Sequence, residues 1–113
     1  MNGHDIIGQL LTDPQVYLHF TDDRGLAGIL HEGVIRTNFK GVVYFTQEPL
    51  KASETHNSLF IGATTHAGRG THVLAVRLDL GLQVTRLTSY EFSVAQSIRL
   101  SQHRVLFAGP NPF

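Results

Sequence analysis

The sequence predicts an α+β fold with mostly antiparallel strand pairing, and three observations carry that expectation. Apolar patterning gives strand, helix, strand and helix in the first half, then several strands with no helix between them. That order argues against a doubly wound parallel sheet. The 113 residues suffice for one core and leave no room for a second. A content of 42% hydrophobic and 16% charged residues excludes a disordered, collagen-like or coiled-coil chain.

Each element has a local signature. Ile6, Ile7, Leu10 and Leu11 recur at spacings of three and four, which predicts a short amphipathic helical extension over residues 1–14, ended before Pro14. VYLHF (16–20) is β-branched and aromatic, with Val16, Leu18 and Phe20 on one face and Tyr17 and His19 on the other. Thr21 or Asp22 can cap the helix that follows. Leu26, Ile29 and Leu30 give that helix an apolar stripe, and Gly33 ends it. Val34 and Ile35 are expected to return the chain to the sheet, with a turn over 38–41. GVVYFT (41–46) is a second strand, and EPLKASETHNSLFIG (48–62) reads as a helix with Pro49 at its first position. ATTHAGRGT (63–71) reads as an exposed loop. THVLAVRLDLG, SYEFSV and the stretch 98–107 supply the late strands. The tail GPNPF (109–113) is expected to be irregular.

Composition narrows the functional classes. Nine Lys+Arg balance nine Asp+Glu, which disfavours a strong non-specific grip on nucleic acid or an anionic membrane. Seven Arg against two Lys still permit a local phosphate-binding patch. There is no Cys, no GxxxxGK[ST], no GxGxxG after a strand and no HExxH. The seven His include no pair three or four apart, and His66 with His72 across a loop is a weak metal reading, so no metal is expected. No apolar run approaches a bilayer span, and MNGHDIIGQLL lacks a signal peptide's basic start, so no membrane insertion is expected.

Three polar residues sit where packing explains them poorly. His19 lies within an apolar strand just before a helix cap. Tyr44 lies within another strand, beside Thr46 and Gln47. Glu91 opens the strand EFSV, where a carboxylate is usable as an electrostatic stabiliser or general base. Taken singly, each also reads as an ordinary strand residue.

Together, VYLHFTDDRGLAGILHEGVI and KGVVYFTQEP resemble the opening half of the ADP-ribosyltransferase fold. The likeness is to small bacterial toxin domains and, more distantly, to diphtheria-toxin-like and poly(ADP-ribose) polymerase cores. The residues that carry it are His19-Phe20-Thr21, the run Gly28-Ile29-Leu30 to Gly33, and Val43-Tyr44-Phe45-Thr46. THVLAVRLDL and SYEFSVAQSIRLSQHRVLF resemble the end of that fold, with Glu91 as the third catalytic residue and Asp79 as the alternative. The resemblance covers residues 16 to about 108.

It implies split, mostly antiparallel sheets with short flanking helices, forming one domain over 1–113. It also implies NAD+ as substrate, without a metal. His19 would hydrogen-bond the adenosine ribose with help from Thr21, and Tyr44 would stack on the nicotinamide. Glu91 would hold the 2′-OH of the nicotinamide ribose and stabilise the charge developing there. Phe20, Phe45 and Thr46 complete the expected binding set. Charge alone makes Arg24 and Arg36 candidates for the pyrophosphate. Arginine-modifying relatives carry Glu or Gln two residues before the catalytic Glu. Ser89 stands there, which disfavours arginine as acceptor and leaves Tyr90 to touch the target.

The expectation is therefore a mono-ADP-ribosyltransferase toxin or effector domain, delivered from a secreted protein into a target cell's cytoplasm. Its partners would be a macromolecular acceptor, protein or RNA, and a cognate immunity protein. The alternatives are a NAD+ glycohydrolase on the same fold and a non-catalytic module that binds NAD+, ADP-ribose or a protein.

Overall fold

The computed structural model describes residues 1–52, 54 and 70–113. Most of the helix expected over 48–62 and of the loop over 63–71, including His56 and His66, lies outside them. Pro49 does not open a helix, since residues 49–51 carry no regular structure.

The chain runs α1 (Gly3–Thr12), β1 (Val16–Thr21), α2 (Asp23–Glu32), β2 (Val34–Ile35), β3 (Val43–Thr46), β4 (His72–Arg77), β5 (Thr85–Arg86), β6 (Glu91–Val94), β7 (Ile98–Arg99), a 3-10 turn (Leu100–Gln102) and β8 (Arg104–Pro110). Six strands form one sheet in the order β5-β6-β3-β1-β4-β8, every pair antiparallel. This is an α+β domain, as the late clustering of strands predicts.

Helix ends follow sequence chemistry. Asn2 and Asp5 form a reciprocal capping box at the start of α1. The Asp22 carboxylate accepts from the Gly25 N–H at 2.6 Å, so Asp22 rather than Thr21 caps α2. Gly33 ends α2 at φ 71°, a left-handed conformation that favours glycine. Gly41, at φ 77°, closes the expected turn, its N–H bonded to the Asn38 carbonyl.

Both faces of the sheet are covered. On one, Leu26 of α2 packs with Ile35, Val43, Phe45, Leu74, Val76, Phe92, Val94 and Ile98. On the other, Ile6 of α1 packs with Leu18, Val73 and Ala75, joined by Phe20, Phe107 and Phe113. The N-terminal helix thus contributes Ile6 to the core, because the Leu18 face needs an apolar cover.

Two further expectations are corrected. Val34 and Ile35 do not rejoin the main sheet: they pair with Arg99 and Ile98 in a separate two-stranded sheet. The tail is not wholly irregular, since Gly109 and Pro110 belong to β8, opposite Val73 and His72. A proline is tolerated there because β8 is an edge strand. Asn111 then donates to the Leu50 and Gly70 carbonyls, and the Phe113 ring meets Phe20 at 6.3 Å.

Candidate functional site

β1 pairs with β4 along its whole length, and β3 pairs with β6 along its whole length. Between β1 and β3 there is a single ladder position, Leu18 opposite Thr46. The next residue on β1 is His19. Its Nδ1 lies 2.9 Å from the Tyr44 carbonyl oxygen, across this junction. A carbonyl only accepts, so Nδ1 carries the proton and the neutral ring has its lone pair on Nε2. Phe45 braces the imidazole edge-on at 5.7 Å and is itself braced by Tyr17 at 6.0 Å.

Antiparallel partners share a face, so the register decides which side chains can meet. His19, Phe45 and Phe92 face α2. Tyr44 with Ser93, and Thr46 with Glu91, face the α1 side. The sheet therefore brings the His19 imidazole to the Tyr44 backbone and not to the Tyr44 ring. Glu91 stands beside Thr46, two strand spacings or about 10 Å from Leu18.

Glu91 is 1% exposed. Burying a carboxylate costs far more than burying an apolar side chain of similar size, and such residues cluster at functional sites. Its backbone is fixed by a tight turn: Glu91 N–H donates to Thr88 Oγ1, and its carbonyl accepts from Leu87 and Thr88. Asp79 is placed differently. It is exposed, sits beyond the Val16 end of β1, accepts from the Gly81 N–H and receives no burial.

On the α2 face a cleft of about 240 Å³ opens beside His19 and Thr21. Arg24, Gly28 and Glu32 line its helical wall, and Arg36 stands on its rim. Thr21 is buried at the cleft floor, and a methyl at Gly25 would fall 2.1 Å from its hydroxyl oxygen. Gly25 is thus what lets α2 approach the end of β1. Gly28 has no such reason among the described residues, none of which lies within 4 Å of the Cβ it lacks.

Of the expected binding set, His19 and Thr21 line this cleft, as do both candidate arginines. Phe20, Phe45 and Thr46 are not part of its lining. Phe20 belongs to the α1-side cluster, Phe45 is 2% exposed, and the Thr46 hydroxyl bridges the Tyr90 carbonyl and the Glu48 N–H. Gln47 donates to the Pro14 and Val16 carbonyls and ties β3 to the start of β1. Gly28 and Glu32 escaped the sequence reading as wall residues. Their spacing of four from Arg24 was the available signal. Among the described residues no group of three or more His, Asp or Glu could hold a metal, and no helix is long and apolar enough to cross a membrane.

No family model matches the sequence, and no curated protein or solved structure matches it either.

Proposed function

We propose that this domain is a NAD+-dependent mono-ADP-ribosyltransferase. The observation that carries the reading is the junction between β1 and β3. One ladder position, Leu18 opposite Thr46, joins β5-β6-β3 to β1-β4-β8, and the His19 side chain bonds the Tyr44 carbonyl beside it. The resemblance implies split, mostly antiparallel sheets, and the thin β1/β3 pairing within this single six-stranded sheet supports that reading. The buried Glu91 in the adjoining half and the two arginines beside His19 agree with it.

In this reading the C1′–N bond of the nicotinamide ribose breaks and nicotinamide leaves with the bonding electrons as a neutral molecule. Positive charge develops on the ribose, and the Glu91 carboxylate stabilises it. An acceptor nucleophile then bonds to C1′, and its proton passes to solvent. His19, oriented by the Tyr44 carbonyl, hydrogen-bonds the adenosine ribose. Tyr44 and Glu91 face away from the His19 cleft, so the reading requires the β1/β3 junction to part for the dinucleotide to reach both faces. Domain delivery, an immunity partner and a macromolecular acceptor belong to the same proposal.

The test is nicotinamide release from NAD+, with and without cell lysate, by the wild type, His19→Ala and Glu91→Gln. Labelling that needs lysate identifies transfer. Release without lysate identifies hydrolysis, and the absence of either makes the domain a binding module.

A further inference from the structure

Arg24, Gly28 and Glu32 are four residues apart and form one row along α2, facing the cleft. The middle of the row is bare. A glycine in a helix interior destabilises it relative to alanine, and among the described residues no neighbour demands Gly28. Open space beside a bare stretch of backbone suits a ligand lying against the helix.

Arg36, the residue after β2, also lines the cleft. Its planar fork matches two phosphate oxygens, the geometry for which arginine is the favoured residue. That fork is already engaged within the chain: Nε donates to the Glu32 carboxylate at 2.9 Å, and Nη2 donates to the same oxygen. The contact holds the Glu32 carboxyl below its usual range, so it is ionised at neutral pH. Glu32 is the acidic residue of the cleft lining, and it sits on the group best suited to an anion. Both side chains are well exposed, at 72% for Arg36 and 41% for Glu32. An ion pair this exposed is weak and exchanges readily.

We infer that Glu32 is the built-in competitor of a diphosphate-bearing ligand: it holds Arg36 in the unliganded protein and yields it when the diphosphate enters the cleft. Naming the ligand a dinucleotide rests on the function proposed above. The anion chemistry rests on the cleft alone. Glu32 is a positioning residue here, acting through Arg36.

The experiment is calorimetric titration with inorganic pyrophosphate and, separately, ADP-ribose, at low salt, on the wild type, Glu32→Gln, Arg36→Gln and the double variant. Glu32→Gln is expected to tighten pyrophosphate about two- to fivefold, the range that losing an exposed competing pair allows. Arg36→Gln is expected to weaken it. Adding Glu32→Gln to Arg36→Gln is expected to change nothing, which separates release of Arg36 from simple removal of a negative charge. No pyrophosphate binding by the wild type, no gain in Glu32→Gln, or an equal gain in the Arg36→Gln background overturns the inference. Wild-type nicotinamide release in the same preparation tests the function independently. Release with a Glu32-insensitive cleft sinks only the competitor, and the expected cycle without release sinks only the transferase.

Discussion

Gly25 and Gly28 lie one turn apart on α2, and the same substitution at each is expected to move stability in opposite directions. At Gly25 a new methyl would meet Thr21 Oγ1 at 2.1 Å and Asp22 Oδ1 at 3.0 Å. Thr21 is 2% exposed and pinned in β1, so it cannot swing away. Overpacking of this kind costs about 1–3 kcal/mol. Displacing the Asp22 carboxylate from the Gly25 N–H costs about 1 kcal/mol more through the lost cap. Against about 5–15 kcal/mol of total stability for a domain, Gly25→Ala is a severe lesion. At Gly28 the methyl meets none of the described residues within 4 Å and the position is helical, so the intrinsic preference decides. Gly28→Ala is expected to stabilise by about 1 kcal/mol, or about 4 °C in Tm for a domain near this size. Urea and thermal unfolding of the two variants beside the wild type measure both. If Gly25→Ala stabilises, the close approach of α2 to Thr21 is wrong, and if Gly28→Ala destabilises, the open space beside Gly28 is wrong. Should Gly28→Ala gain stability while losing ADP-ribose affinity, the bare helix face is there for a ligand.

Other outcomes follow from the same contacts. Ile6→Ala is expected to cost about 2–5 kcal/mol, as for any fully buried aliphatic, although it lies only six residues into the sequence. Urea unfolding measures it, and a loss under 1 kcal/mol would mean that α1 is peripheral. His103 accepts the Asp79 N–H through Nδ1, and burial pushes its pKa below the usual value, partly opposed by the Asp79 charge. The unfolded chain therefore binds the proton more readily. Its contribution to stability is present above the unfolded value of about 6.5 and is lost as pH falls through the folded pKa. Urea midpoints from pH 7 to pH 5 should fall less in His103→Gln than in the wild type. Equal slopes would remove His103 from the pH response.

Much of this fold is legible because its strands obey period two. Val16, Leu18 and Phe20 do face one side and Tyr17 and His19 the other, as their alternation predicts. The capping residue Asp22 and the terminator Gly33 are equally plain. β5 was not legible: Thr85–Arg86 is exposed, short and without an apolar position, and it exists because β6 offers it an edge. The reach of β8 to Pro110 was hidden by a proline that only an edge strand tolerates. Residue types singled out His19, Tyr44 and Glu91, but not their mutual facing. That depends on the Leu18–Thr46 register, a pairing between strands 28 residues apart in sequence which no local pattern encodes. The cleft wall was missed for the same reason, since Gly28 reads as an ordinary helical residue until β1 and β2 are set beside it.

The central claim is tested most directly by nicotinamide release at saturating NAD+, comparing the wild type with Glu91→Gln and with Asp79→Asn as the exposed control. Glutamine keeps the size of Glu91 and one of its acceptor oxygens and removes the carboxylate. If its charge acts in the transition state, turnover should fall by a factor of about 10²–10³ while NAD+ affinity changes little. Asp79→Asn should retain most activity, since that carboxylate lies beyond the far end of β1. A wild type that releases no nicotinamide, with or without lysate, contradicts the account, and so does a Glu91→Gln variant that turns over at the wild-type rate.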